Sequence, residues 1–446
     1  MSGRRRGGPR GKVRSARRQR LAAPAGAIDG QPRSSYGRGA RILSVGIAAT
    51  GLFTFAYFAV ASHVVGAVAA KQLDVLWSVM FIVISVIYRP IEQLLSRTLA
   101  RGRALGQTHH SVRTPLALQA TFASLFLVCA LALRSPIQDE LFDGSATLYW
   151  VLVTGTLFYA ASYFARGWLA GHQRFGLYGG LVLMESTSRF LFPLAVAVGI
   201  ASGEDVVAIG IAVAPMVSLV VVPLAFARHS ERALDVDAEE VAEGVTVRES
   251  TGFAIAVAGV MLAEQTLLNA AVLTTEITAS DAALAGIVFN VFMITRAPLQ
   301  LFQAVQTSLL PHLSGLEATA GHAAFARAIR QTLVVIAGFA GAVTLGLLAI
   351  GPFVMSHVFG QDFDYNRYGL AVLGVGMGLH LVSGALNQAA LARGRAAPAA
   401  AAWLAVAVGF VVWTLLPVIG DQLLRAEVGY ALATGTLAVL LWRIYS

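Results

Sequence analysis

The stretches YRPIEQLL at residues 88–95 and TRAPLQLFQ at residues 295–303 decide the fold, because each sets an arginine and a proline inside an apolar segment. An arginine at membrane depth costs free energy unless it faces water or a partner. The two stretches occupy matching places in the two halves of the chain. This repetition predicts a two-lobed membrane protein with a polar interior.

The surrounding sequence is rich in long apolar segments. Of the 446 residues, 57% are hydrophobic and 13% are charged, which excludes a water-soluble domain of this length. Segments long enough to cross a hydrocarbon layer of about 30 Å lie at 42–65, 74–97, 116–134, 147–170, 178–200, 206–227, 252–274, 282–310, 331–350, 368–391, 398–419 and 426–444. The sequence therefore predicts an all-α polytopic membrane protein, with about 12 transmembrane helices in two parallel six-helix lobes around a central cavity.

The polar segments divide the chain into four parts. Residues 1–40 form a basic tail, 41–227 an N-lobe, 228–251 an acidic cytoplasmic linker and 252–446 a C-lobe. The lobes resemble each other in a second place, where the sequence from Ser162 to Arg174 aligns with that from Ser383 to Arg395. Parallel repeats of this kind place a cavity between the lobes.

The distribution of basic residues predicts the topology. The first 41 residues contain twelve Lys and Arg, which are expected to hold the N-terminus in the cytoplasm and to contact anionic lipid. The tail has no aromatic interleaving, so no nucleic acid is expected as a partner. With both termini inside, the later cytoplasmic segments hold fourteen basic residues and the outer segments four. Arginine far outnumbers lysine, which points to a GC-rich bacterium and hence to its plasma membrane.

Several charged residues fall at membrane depth. Arg189, Glu264, Arg296 and His380 lie near the middle of their segments, and Arg89 and Glu185 lie nearer the cytoplasmic side. Arg89 with Glu92 and Glu185 with Arg189 have helical spacings, so each pair either neutralises itself or faces a cavity. We expect the three arginines to bind an anionic substrate, because guanidinium groups bind phosphate in a bidentate manner.

Arg296 has amides rather than acids on its face of the helix. That face is expected to line a hydrated cavity, with interhelical hydrogen bonding as the alternative; its substrate-binding candidates are Asn290, Gln300 and Gln303. Glu264 is a partner for Arg296 or a protonatable group. Glu92, Glu185, Glu264 and His380 are the candidates for ion or proton coupling, although a buried histidine is more often a satisfied hydrogen-bonding group.

The sequence offers no site for covalent chemistry. It has no phosphate-binding glycine loop with a lysine, and its cysteine and histidine spacing predicts no metal site, so we expect neither a cofactor nor an enzyme. The lone Cys129 is expected to pack within the third segment. Residues 352–360 are apolar but short, and they predict a separate amphipathic helix on the outer side.

The second segment of the C-lobe resembles the corresponding helix of polysaccharide transporters, from Gly286 through Arg296 and Pro298 to Pro311 and Ser314. The segment from Phe353 to Phe363 and the turn from Leu391 to Arg395 resemble them too. We therefore expect a member of the superfamily of multidrug and toxin extrusion proteins, polysaccharide flippases and the lipid II flippase, in its O-antigen flippase-like branch.

The resemblance implies a flippase for an undecaprenyl-pyrophosphate-linked oligosaccharide, acting by alternating access in cell-envelope glycan export. Glycan polymerases or glycosyltransferases of the same pathway are the implied partners. An ion-coupled multidrug or metabolite exporter is the first alternative. A lipid II flippase is the second, although that family has two further helices. An integral-membrane enzyme is disfavoured, because the longest outer stretches have about 16 residues or fewer.

Overall fold

The computed structural model describes residues 33–65, 67–105, 112–220, 247–278, 282–319, 321–359 and 365–446. Most of the basic tail and most of the acidic linker lie outside the described residues. Some side chains within helices are also not described, among them those of Asn290, Arg296, Gln300 and Gln303.

Helices account for nearly all of the described chain. They are α1 (Arg33–Val64), α2 (Ala67–Ile87), α3 (Arg89–Ala104), α4 (Arg113–Ala132), α5 (Ala146–Gly171), α6 (Phe175–Ala197), α7 (Glu204–Ser218), α8 (Val247–Thr278), α9 (Ala282–Thr319), α10 (Gly321–Phe359), α11 (Arg367–Ala392), α12 (Ala396–Leu415) and α13 (Gln422–Tyr445). A single π-helical turn, Pro136–Leu141, lies between α4 and α5.

The chain is a multi-pass membrane protein. Within the described residues, nine helical spans are long and apolar enough to cross a membrane, and α2 with α3 counts as one of them. The first, sixth and eighth predicted spans correspond to α1, α7 and α9. These three are not among the nine, since α7 has 15 residues and the other two contain residues whose side chains are not described.

Proline interrupts the second span. Tyr88 separates α2 from α3, and Pro90 lies in the first turn of α3. Proline carries no N–H and crowds the preceding turn, so a helix tends to break there. The helix is therefore interrupted at Tyr88, and Arg89 is the first residue of α3.

Two helix ends in the two halves share the same turn. After α5, the N–H of Arg174 donates to the carbonyl of Leu169 and Gln173 has φ 55°. After α11, the N–H of Arg395 donates to the carbonyl of Ala390 and Gly394 has φ 74°. A left-handed residue with this hydrogen bond closes a helix C-terminus. These turns are the ones aligned from the sequence.

The buried side chains form separate clusters in the two halves. One cluster joins Tyr57 to Ala212 through residues of α1, α2, α4, α5 and α7. Another joins Phe253 to Tyr445 through the helices of the second half, and Leu94 of α3 also belongs to it. One residue of the first half is thus anchored in the core of the second.

Two expectations about the surface are wrong. Cys129 is exposed on the apolar outer face of α4 beside Val128, because the helix turns that face away from the cluster containing Ala130. Residues up to Phe359 continue α10 instead of forming a separate helix. Gly351 allows a close approach to Leu370 of α11, and the buried Met355 anchors the continuing turn.

Candidate functional site

A cavity of about 310 Å³ lies between the two halves. Helices α1, α2, α3, α5 and α6 line it from the first half, and α8 and α9 line it from the second. Its charged lining residues are Arg89, Glu92, Arg166, Glu185, Arg189 and Glu264. Five of these six residues are predicted site residues, and the cavity brings them together.

Glu185 is held between two arginines. Its Oε2 lies 2.5 Å from Nη2 of Arg166, and its Oε1 lies 3.8 Å from Nη2 of Arg189. The hydroxyl of Ser162 also donates to Oε2, at 3.1 Å. The pairing of Glu185 with Arg189 was one of the two sequence alternatives, but the shorter contact is made by Arg166.

Arg166 is the site residue that the sequence prediction missed. Arg166 is one of the fourteen basic residues that the predicted topology assigns to cytoplasmic segments, yet it is 8% exposed and faces the cavity. Tyr159, Ser162, Tyr163 and Arg166 follow one another at intervals of three, one and three along α5. This polar stripe at helical spacing was the available signal.

Aromatic rings support both arginines. The guanidinium of Arg189 lies 4.2 Å from the ring centre of Trp77, and that of Arg166 lies 4.5 Å from the ring centre of Tyr163. Cation–π contacts of this kind fix the plane of a guanidinium group while leaving its edge available for hydrogen bonds. The cavity thus presents arginine edges between aromatic faces.

Arg89 and Glu92 lie at the base of this cavity but do not pair with each other. Glu92 accepts a hydrogen bond of 2.7 Å from the hydroxyl of Tyr178. Among the described residues, Arg89 forms no ion pair, and its longer-range partners include Glu264 and Glu92. A second space of about 10 Å³ adjoins both residues and runs between α3 and α9 past Ser96 and Thr307, enough for about one water molecule.

The second half contributes a chain of three polar groups. Glu264 of α8 lines the cavity, and its Oε1 lies 3.6 Å from Nε2 of His380 on α11. Nδ1 of His380 lies 3.0 Å from the hydroxyl of Tyr430 on α13. His380 is 1% exposed and stands behind Glu264 rather than on the cavity wall.

The remaining predicted residues belong to α9. The side chains of Asn290, Arg296, Gln300 and Gln303 lie outside the described residues, so the predicted contact of Glu264 with Arg296 stays a prediction. Leu299, Phe302 and Thr307 of the same helix line the cavity. Within the described part of the chain, no three His, Cys, Asp or Glu residues group as they would around a metal ion.

The two halves also meet below the cavity. We call this the basic end of the bundle, where α3, α5, α9, α11 and α13 finish close together. The arginines in or just after the last turns of these helices are Arg101, Arg103, Arg174, Arg393, Arg395 and Arg443. Here the guanidinium of Arg97 on α3 lies 4.9 Å from the ring centre of Phe253 on α8. A β-carbon on Gly394 would lie 3.4 Å from Nη2 of Arg97, and one on Gly315 would lie 3.8 Å from Cβ of Ala104. The halves are therefore packed together at the basic end.

No family model matches the sequence, and no curated protein matches it. Solved structures do match. A mutant of the Vibrio cholerae MATE transporter VcmN is 14% identical, with a TM-score of 0.73 over 93% of this chain and 97% of that one. An outward-facing multidrug resistance MATE family transporter of the MOP superfamily is 13% identical, with a TM-score of 0.77 over 95% of this chain and 98% of that one.

A MATE structure in the straight conformation is 15% identical, with a TM-score of 0.72 over 95% of this chain and 99% of that one. At these identities the likeness establishes the fold and nothing finer. The chain has the MATE transporter fold, which fits the prediction of about 12 helices in two lobes.

Proposed function

We propose that this chain is an alternating-access transporter of the bacterial plasma membrane that flips an undecaprenyl-pyrophosphate-linked oligosaccharide for cell-envelope glycan export. The observation that carries this proposal is the set of three arginines, Arg89, Arg166 and Arg189, in one cavity between the halves. The MATE transporter fold supports the transport function and the relation to the wider superfamily.

Alternating access follows from where the halves touch. The cavity lies between them, and at the basic end they are held by Arg97 with Phe253 and by Ala104 near Gly315. Rocking one half against the other would break these contacts and open the cavity toward that end. By the positive-inside rule the basic end is cytoplasmic, so both termini face the cytoplasm and the substrate headgroup enters there.

The hydrogen-bonding groups of the cavity favour an anionic headgroup. The described lining contains three arginines and three glutamates, so the formal charges cancel. The glutamates, however, are engaged: Glu185 with Arg166 and Arg189, Glu92 with Tyr178, and Glu264 beside His380. Nε and Nη1 of Arg189 are buried without an acceptor in the described residues. Donors are therefore in excess, as phosphate or an acidic sugar requires.

A lipid-linked substrate also needs a cavity that communicates with the bilayer. Ile82 of α2 lines the cavity and is 41% exposed. Leu268 of α8 lines the same cavity from the other half. An opening between α2 and α8 would let the headgroup occupy the cavity while the polyprenyl chain stays in the hydrocarbon. Glycosyltransferases or a polymerase of the same pathway are the proposed partners, and anionic lipid is the partner of the basic tail.

The second candidate is an ion-coupled multidrug or metabolite exporter. Taken alone, the comparisons favour it, since one of the matching structures is described as a multidrug resistance transporter. Glu264 with His380 supplies a carboxylate and an imidazole at 3.6 Å beside the cavity, a pair suited to carrying a proton. A cationic drug would nevertheless have to enter beside three arginines, so we rank the exporter second.

The deciding experiment is extraction of lipid-linked intermediates from cells depleted of the protein, with the leaflet assigned by a membrane-impermeant sugar-modifying reagent. Accumulation of a protected, inward-facing undecaprenyl-linked oligosaccharide is the expected result, and it would also name the glycan. Unchanged lipid-linked pools together with increased sensitivity to cationic compounds would replace the flippase by the exporter. Restoration by wild type but not by Arg189→Gln would link the phenotype to the cavity.

A further inference from the structure

Glu185 is the only acidic residue that contacts two arginines in the described cavity lining. The exposed fractions of Arg166, Glu185 and Arg189 are 8%, 4% and 2%. A buried ion pair regains its desolvation cost only when its remaining donors and acceptors are also satisfied. A count of hydrogen bonds therefore shows whether the donors of Arg166 and Arg189 are satisfied by Glu185.

The count leaves several arginine donors unfilled. Each guanidinium has five N–H groups, and one nitrogen of Arg166 bonds to Glu185 at 2.5 Å. Nη2 of Arg189 lies 3.8 Å from the same carboxylate, which is too far for a hydrogen bond. Nε of Arg166 and both Nε and Nη1 of Arg189 are buried without an acceptor among the described residues. One carboxylate thus serves two cations incompletely.

We propose that Glu185 is an internal counter-anion, which the phosphate of the substrate displaces to bind between Arg166 and Arg189. This rests on the proposed function, since it assigns the charged group of that substrate to this subsite. A pyrophosphate carries more negative charge and more acceptor oxygens than a carboxylate. It can hydrogen-bond to both arginines at once, whereas Glu185 hydrogen-bonds to Arg166 and lies 3.8 Å from Arg189.

The surroundings allow this exchange without collapse of the subsite. Trp77 and Tyr163 hold the two guanidinium groups from their faces, so the arginines keep their positions when the carboxylate moves. The hydroxyl of Ser162 is already bonded to Glu185 and can remain its donor after displacement. The exchange also gives selectivity. A monoanionic sugar carboxylate would bind the two arginines little better than Glu185 does, whereas a phosphate or pyrophosphate brings more negative charge to them.

The test measures binding rather than transport. The full-length protein in phosphatidylcholine nanodiscs is titrated with inorganic pyrophosphate by isothermal titration calorimetry. Acetate is titrated in parallel as the monoanionic control. We expect Glu185→Gln to tighten pyrophosphate binding about tenfold or more, because it removes the competing anion. Arg189→Gln should weaken it by at least the same factor, and Arg134→Gln, at an exposed arginine outside the cavity, should leave it unchanged.

Glu185→Gln leaves two buried arginines without their carboxylate, so this variant could fail to fold. A second comparison keeps the test valid in that case. Arg166→Gln with Glu185→Gln removes one charge of each sign, and it should bind pyrophosphate more tightly than Arg166→Gln alone. If Glu185→Gln weakens binding as Arg189→Gln does, or changes nothing in the wild type and in Arg166→Gln, Glu185 is a fixed member of a structural ion pair. Absence of pyrophosphate binding to the wild type, or acetate binding equally well, also overturns the subsite.

This experiment separates the subsite from the proposed function. Pyrophosphate binding in the expected order, without accumulation of lipid-linked oligosaccharide in depleted cells, would leave the subsite standing and reject the flippase. Accumulation of the oligosaccharide without pyrophosphate binding would keep the flippase and reject the subsite.

Discussion

Arg97 on α3 places its guanidinium 4.9 Å from the ring centre of Phe253 on α8, and this contact joins the first half of the chain to the second at the basic end. Leu94, less than one turn earlier on α3, is buried in the core cluster of the second half. Ser96, which lies between them in the sequence, lines the small space that adjoins Arg89 and Glu92. The two halves can separate at this end only if the Arg97 contact breaks.

The first prediction concerns this contact. Arg97→Ala should favour opening at the basic end, since a cation–π contact contributes about 0.5–2 kcal/mol. With Cys129→Ser as the background, a cysteine introduced at Ser96, which is 4% exposed, should react several-fold faster with a membrane-impermeant maleimide applied from the basic end. The labelling rate in Arg97→Lys should fall between the rates in Arg97→Ala and in the parent. The rate in Arg101→Ala, at an exposed neighbour on α3, should equal that of the parent. Equal labelling in Arg97→Ala and the parent would remove Arg97 from the closure.

The second prediction concerns Arg296, whose side chain lies outside the described residues. Arg296→Ala should abolish glycan export while the protein still inserts and accumulates, and Arg296→Lys should restore part of it, because a point charge lacks the bidentate fork. Surface glycan and membrane abundance are measured together, with Arg134→Ala as the control. Normal surface glycan in Arg296→Ala would take this residue out of the substrate path.

The third prediction concerns the hydrogen bond from Tyr178 to Glu92, which is 2.7 Å long and buried. Tyr178→Phe removes the donor and leaves a buried carboxylate without it, which costs about 1–3 kcal/mol. The thermal unfolding midpoint in detergent should fall by several degrees. Tyr368→Phe, at a residue that is 70% exposed, should leave it unchanged. A midpoint as high in Tyr178→Phe as in wild type would mean that water replaces the hydroxyl.

The fourth prediction concerns the approach of α5 to α3. A β-carbon on Gly171 would lie 2.7 Å from Cβ of Leu99 and 3.2 Å from Cα of Ser96. Gly171→Ala should therefore force the helices apart and destabilise the protein by about 1–3 kcal/mol. Gly180→Ala is the matched control, because a β-carbon there meets nothing within 4 Å. Similar unfolding midpoints for the two variants would show that α3 moves aside without cost.

Much of the fold could be predicted from the sequence, because the length of an apolar segment and the arginine and proline within it are properties of that segment alone. The break at Pro90 and the matching turns after α5 and α11 follow from local chemistry. The role of Arg166 in the cavity could not be predicted in the same way. Its burial depends on α3 lying against α5, where a β-carbon on Gly167 would be 2.9 Å from the carbonyl oxygen of Glu92.

The partners within the site were the least predictable part. Spacing along α3 allowed Arg89 to pair with Glu92, but Glu92 bonds to Tyr178 of α6 instead. Glu264 is predicted to contact Arg296 or to be a protonatable group; that first contact stays a prediction, and the position of Glu264 beside His380 of α11 is not predicted. Contacts between distant helices are set by how the helices pack, and a single sequence contains no direct record of that packing. The exposed position of Cys129 depends on the same packing.

The pairing of Arg166 with Glu185 has a consequence for how the protein is made. An arginine costs about 2.5–3.5 kcal/mol at the centre of a helix that inserts alone. Arg166 lies five residues before the end of α5 and Glu185 lies in α6, and the turn at residues 172–174 is all that separates these helices. If the two helices enter the bilayer together as a hairpin, Arg166 meets its counter-charge during synthesis, before the second half of the chain exists.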